Sequence, residues 1–243
     1  MNDFIPEEYR IVVYLDTNIL VDYAISQNAM LIKTLKWMHQ CPFVTLHSSR
    51  YVEFELTEVL KYMYFYRHVN GTFPLDNKYK SVIRSSNWIL DGVDYMSINA
   101  NIIQEVFDAK KRIVDDLEIN YQEHPLEDVL LKPTLEICLK SRISKEDSLV
   151  LASGSDDGIT FFVLLSNDKQ FSQEINTSDH IISPILQQYQ KCVPENILLK
   201  NLQDDNGRKI NLDIDNLHDE ELYSLWTNII LKLIKKKNLD RYL

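Results

Sequence analysis

At 243 residues, 45% of them hydrophobic, the chain is long enough for one large globular domain, or one domain with an embellishment, around a real core. Its formal net charge of −10 excludes a bulk positive field, so a polyanion partner requires a local basic groove or metal ions that reverse the sign of a site. Cys41, Cys138 and Cys192 stand in no CxxC or CxxH arrangement, which argues for reduced thiols and against a zinc site, and no apolar run approaches the ~20 residues of a membrane helix.

The chain opens with MNDFIPEEYR, which lacks the basic and apolar regions of a signal peptide, so the cytoplasm is the expected location. Residues 11–15 (IVVYL) are short, β-branched and aromatic, the pattern of a buried parallel strand. It hands over at Asp16-Thr17-Asn18 to helices expected near 18–25 and 29–39, and 43–46 (FVTL) is a second strand candidate. From Val52 the apolar positions Val52, Leu56, Val59, Leu60 and Met63 recur at helical spacing. Residues 67–80, with Gly71 and Pro74, are loop-like, and helices are expected near 80–90, 99–121 and 126–141. Ser144 begins a capping box whose helix stops at Gly154; the turn SDDG then leads into the strand 160–165, which ends at Ser166-Asn167-Asp168. Residues 181–184 (IISP) are a further strand candidate, and the spacing after Asn216 predicts a helix to Lys237, acidic first and basic last. Strands alternating with helices argue an α/β fold with a mostly parallel sheet, whose sites form at the carboxyl ends of its strands.

Asp16 and Asp168 each stand at such an end, and Asp147 opens a helix. Singly, each has an ordinary reading as a cap or a dipole-favoured charge. Jointly, three carboxylates at one sheet edge repel one another and raise each other's pKa unless a cation compensates. Hard oxygen donors of this kind suit Mg²⁺ or Mn²⁺ and point to a metal-assisted phosphate site.

The blocks YLDTNILVDY, SSRYVEFELTEVL, EDSLVLASGSDDG and FFVLLSNDKQF, in that order, resemble the four signature blocks of PIN-domain nucleases. They cover roughly residues 10–65 and 140–185. The resemblance implies a three-layer α/β sandwich with a central mostly parallel sheet over residues 8–185, with a helical insertion at about 65–142 between the second and third acidic motifs. A helical extension, 186–243, would pack on it. It nominates Asp16, Glu55, Asp147 and Asp168 as the catalytic, metal-binding carboxylates, Asn18 and Ser166 as their polar supports, and Phe171 as a packing residue.

The glutamate has rivals on its own helix. Glu58 projects roughly 140° from the apolar centre and is expected in solvent. Glu53 and Glu55 flank the apolar face at similar angles, so spacing leaves both open. The family's Glu-Leu step, with Ser49 six positions earlier, favours Glu55. Asp22 shares a face with Asn18 and is a lesser candidate, while Asp156, Asp157 and Glu146 have ordinary turn or helix-start roles. No histidine falls in a ligand pattern, although His47 lies near the end of the second strand, and no GxSxG or P-loop is present. Lys110-Lys111-Arg112 and Lys235 to Lys237 are the main basic clusters, most simply solvated helix faces.

The function so implied is a metal-dependent endoribonuclease holding Mg²⁺ or Mn²⁺, with RNA as the preferred nucleic acid and DNA also open. A catalytically silent PIN-like RNA-binding or scaffold module is the competing class. A phosphohydrolase of the haloacid-dehalogenase type fits less well, because it wants a second Asp where this chain has Asn18. The resemblance also permits a toxin role with an antitoxin or regulatory protein as partner. The insertion leaves a homodimer surface open.

Overall fold

A computed structural model describes residues 10–25, 29–41, 44–74, 95–122, 128–154 and 160–198. The expected helices at 80–90 and 216–237, the SDDG turn with Asp156 and Asp157, and the basic run at Lys235 to Lys237 lie outside them.

The first strand, β1 (Arg10–Leu15), is the centre of the molecule: Ile11, Val13, Tyr14 and Leu15 are almost wholly buried. A strand with neither face in water needs a layer of helices on each side, which is why it reads as a continuous apolar run. It pairs in parallel with β2 (Val44–Ser49) on one side and β4 (Thr160–Ser166) on the other. The short β3 (Asn120–Gln122) joins β2, and β5 (Glu195–Leu198) joins β4, again in parallel. The five-stranded order is therefore β3-β2-β1-β4-β5.

Right-handed crossovers put the helices of the β1→β2→β3 half on one face and those of the β3→β4→β5 half on the other. The contacts follow that division. Helices α1 (Thr17–Ala24), α2 (Ala29–Gln40), α3 (Arg50–Asn70) and α4 (Tyr95–Leu117) pack among themselves. Helix α5 (Asp128–Lys140) packs on α6 (Lys145–Ala152) and on α7 (Lys169–Gln188). The result is an α/β fold of three layers with an all-parallel sheet. Among the described residues no helix is long and apolar enough to cross a membrane, and the three cysteines are free thiols.

Local chemistry sets the element ends. Ser49 caps α3 by accepting the Val52 amide at 3.1 Å. The helix runs four residues into the expected loop and stops where Gly71 takes a left-handed φ of 77°, accessible to glycine without a Cβ clash.

One expectation is corrected. Residues 181–184 form no strand; they belong to α7, whose buried face is Phe171, Ile175, Ile182, Ile185 and Leu186. Two β-branched residues before Pro184 mimic a strand locally, but the longer helical period governs. The described part of the stretch 65–142 is helical as expected except for β3, which joins the main sheet. The sheet also runs past residue 185, to Leu198 in β5. Both short edge strands, NYQ and ENIL, are too polar and brief to announce themselves.

Leu56, fully buried on α3, anchors the helix that carries the candidate glutamate. Leu56→Ala is expected to destabilise the protein by about 2–5 kcal/mol. Thermal unfolding followed by circular dichroism checks this, and an unchanged Tm contradicts the packing described.

Candidate metal centre

The strand order reverses at β1 and β4, which leave in opposite directions through α1 and α7 and open a crevice at their carboxyl ends. Asp16 and Ser166 stand on its two sides. Asp16 is only 8% exposed, so its lone pairs have to be satisfied internally. Its Oδ1 accepts the Thr17 amide at 2.7 Å, and its Oδ2 accepts the Ser166 hydroxyl and the Asn18 side-chain amide, both at 2.6 Å.

Ser166 is the knot of this arrangement. Its hydroxyl donates to Asp16 and accepts from the Asn18 Nδ2 at 3.2 Å and the Asp168 amide at 3.0 Å. One donor and two acceptor positions are all a serine hydroxyl has, so the group is saturated. Asn18 completes the ring by accepting the Asn167 amide at 2.7 Å on its Oδ1. Asp168 is exposed and caps α7 through Oδ1, accepting the Gln170 amide at 2.8 Å and the Phe171 amide at 3.1 Å.

The two rival glutamates separate clearly. Glu55 accepts a short hydrogen bond from the Thr17 hydroxyl, next to Asp16. Glu53 turns to the other flank of α3, to Arg50 at 2.7 Å and Lys110 at 3.0 Å. Burial pushes the Glu53 carboxyl up, but the hydrogen bonds from Arg50 and Lys110 outweigh it and hold the group below its usual range. Lys110 also donates to Thr57 at 3.1 Å, so the most conspicuous basic cluster has one of its cations tied to the fold.

Asp147 lies in the first turn of α6. The Ser144 hydroxyl both accepts its amide at 3.0 Å and donates to its Oδ2 at 2.9 Å. Burial pushes the Asp147 carboxyl up to about 7; the Ser144 hydrogen bond opposes this, and repulsion from Asp16, Asp168 and Glu55 adds to it. Asp16 is pushed up to about 6, chiefly by burial, against the Ser166 and Thr17 hydrogen bonds, with repulsion from Glu55 and Asp168 adding to the rise. Asp16 and Asp147 thus feel the charge of the neighbouring carboxylates.

Among the described residues, however, no three His, Cys, Asp or Glu side chains stand close enough together to hold one ion. The donor chemistry, carboxylate oxygen throughout, is of the kind that suits a hard divalent cation.

Spacing arguments overlooked two contributors. Thr17, inside DTN, links Asp16 to Glu55, and Asn167 ties Asn18 to Asp22 by donating from its Nδ2 to the Asp22 Oδ2 at 3.0 Å. Asp22 therefore does reach the edge of the cluster, one helical turn beyond Asn18.

No protein-family model matches the chain, and no curated protein matches it. Among solved structures it is similar to the crystal structure of VapBC2 from Rickettsia felis bound to a DNA fragment from their promoter. The identity is 12%, the match covers 76% of this chain and 98% of that one, and the TM-score is 0.42. At that level the likeness says nothing about this chain's activity, substrate or partner.

The acidities make a prediction for the metal-free protein. Asp16 and Asp147 are raised above their ordinary 3.8 in the folded state, so between about pH 4 and pH 7 the native state binds more protons than the unfolded one. Stability from this source is full at low pH and is lost as pH rises through the folded values. For Asp16 the loss is at most about 3 kcal/mol. In chelator, Tm measured at pH 5 and pH 8 is expected to fall by several degrees more in wild type than in Asp16→Asn. Equal pH dependence in the two proteins contradicts the acidity assigned to Asp16.

Proposed function

We propose that the chain is a metal-dependent nuclease, with RNA as its first substrate, that hydrolyses phosphodiester bonds at the crevice between β1 and β4. One observation supports this above others: Asp16 is buried, held by three hydrogen bonds, and shares its surroundings with Glu55, Asp147 and Asp168, whose charges repel one another. Such a cluster is electrostatically unfavourable for the fold alone and is relieved by a divalent cation.

In this reading Asp16, Glu55, Asp147 and Asp168 hold Mg²⁺ or Mn²⁺, directly or through water. When bound, the cation supplies a more acidic water for in-line attack and neutralises charge on the phosphate. Ser166 and Asn18 keep the Asp16 carboxylate in one orientation, and Thr17 does the same for Glu55. Asp168 is fixed by two amides of α7, and Asp147 by Ser144. Each carboxylate therefore meets its ligand already oriented.

A catalytically silent binding module is the second reading. It is favoured by the absence, among the described residues, of three acidic or histidine side chains close enough to share an ion.

Incubation of the purified protein with single-stranded RNA, structured RNA and matching DNA, in Mn²⁺, Mg²⁺ or chelator, separates the two. Divalent-dependent internal cleavage of RNA is expected from wild type, and none from a folded Asp16→Asn. Ser166→Ala is expected to lose about 10–100-fold in activity, the usual effect of removing a hydrogen bond that orients a metal ligand. Equal cleavage by wild type and Asp16→Asn overturns the nuclease assignment, and no cleavage under any condition favours the silent module.

A further inference from the structure

Strand register places a tyrosine beneath the carboxylate cluster. Side chains two apart on a strand share a face, so Tyr14 and Asp16 point the same way from β1. The pairing of Tyr14 with His47 and of Leu15 with Leu165 extends that face to Ser49, at the end of β2, and to Ser166, at the end of β4. The Tyr14 ring is fully buried and meets Phe162 of the same face, with ring centroids 5.9 Å apart. Its hydroxyl is buried as well, and among the described residues it makes no hydrogen bond. An unsatisfied buried hydroxyl carries a desolvation cost that phenylalanine would avoid in the same space, so its presence calls for a reason.

Two serines stand near it. Burial pushes the phenol well above its ordinary range; the Ser49 and Ser153 hydroxyls oppose that rise, and the Asp16 charge adds to it. Ser153, the C-cap of α6, spends its hydrogen on the Val150 carbonyl at 2.6 Å, so its oxygen can only accept. Ser49 accepts the Val52 amide at 3.1 Å and keeps its own hydrogen to donate. A chain running from Ser49 to Tyr14 to Ser153 therefore matches donors to acceptors throughout and lacks only closer contact.

Tyr14 and Ser49 belong to strands fixed in the sheet. Ser153 belongs to α6, an eight-residue helix that packs chiefly on α5, so α6 is the element with freedom to shift. The same helix carries Asp147 in its first turn. Asp147 feels the charges of Asp16, Asp168 and Glu55, yet among the described residues no three acidic or histidine side chains are close enough to share an ion. The open carboxylate set and the unbonded phenol thus call for one displacement, α6 toward β1. Packed helices make shifts of this kind, about 1–2 Å, in many conformational changes.

We propose that α6 closes on β1 when a divalent cation binds, bringing Asp147 to the ion and Ser153 onto the Tyr14 hydroxyl, so that Tyr14 holds the closed form. This rests on the metal centre proposed above and adds a residue that acts on it through Asp147. In the open form the hydroxyl weakens the fold. In the closed form it is bonded to Ser49 and Ser153. That difference is what tightens ion binding, since a group bonded equally in both forms shifts nothing.

The test is isothermal titration calorimetry of Mn²⁺ into the full chain, with thermal unfolding in chelator alongside. Tyr14→Phe is expected to bind Mn²⁺ about 5–20-fold more weakly, the effect of one or two hydrogen bonds made only in the closed form. Its Tm in chelator is expected to equal or exceed that of wild type, because the substitution removes an unsatisfied buried group. Ser153→Ala is expected to weaken Mn²⁺ binding about fivefold alone and to have no further effect in Tyr14→Phe, as two members of one pair require. Wild-type Mn²⁺ affinity in Tyr14→Phe overturns the closure. So does a lower Tm of Tyr14→Phe in chelator, which means that the hydroxyl is already bonded without the ion. Additive losses in the double variant overturn the Ser153 contact. Weaker binding with an unreduced Tm sustains the closure even where wild type cleaves no nucleic acid, an outcome that rejects the nuclease reading alone. No Mn²⁺ binding by wild type overturns both the closure and the metal centre.

Discussion

A carboxylate buried at the end of a buried strand has to be hydrogen-bonded or neutralised, and at Asp16 that requirement organises the whole carboxyl edge of the sheet. Its strongest tie is to Ser166, at the end of the neighbouring strand and 150 positions later in the chain. Because β1 and β4 pair in register, Leu15 lies beside Leu165 and the two polar residues that follow meet with little backbone adjustment. The serine hydroxyl then reaches on to the Asp168 amide, so one side chain positions both strand-end carboxylates. The same hydrogen bond opposes the burial that pushes Asp16 upward, and so favours its charged form.

From that junction the outer carboxylates follow by helix capping. Asp168 and Ser144 are the caps of α7 and α6, and Ser49 is the cap of α3. Each cap fixes where its helix starts and therefore which side chain in the first two turns faces the crevice. The capping interactions are ordinary stabilising devices, but with Asp16, the cap of α1, four of them open on one place. The accumulated negative charge works against the fold, as the raised acidities of Asp16 and Asp147 record.

Much of this was legible beforehand, for identifiable reasons. Strands β1 and β4 announce themselves because a parallel strand buried on both faces is a continuous apolar run. Helix α3 does so because its core stripe keeps a 3.6-residue period over five apolar positions. The edge strands β3 and β5 do not, since three or four partly polar residues carry no period of their own and exist only because a neighbour offers a hydrogen-bonding edge. The Ile-Ile-Ser-Pro segment misleads for the converse reason: its local β-branching is overruled by a helix whose buried face extends over four turns.

What the sequence determined by itself was the α/β class, the apolar strands ending in acidic residues, and the small set of carboxylates able to meet. Those depend on residue type and short-range period, which need no partner. Helical spacing left Glu53 and Glu55 equivalent, because both flank the same apolar face at similar angles, and only the family resemblance favoured Glu55. The tertiary structure separates them physically, by placing Arg50 and Lys110 on the side of Glu53 and Thr17 on the side of Glu55. The roles of Thr17 and Asn167 were decided at the same level. Such pairings join residues far apart in the chain, and no local spacing encodes which of them the packing of helices on a sheet brings together.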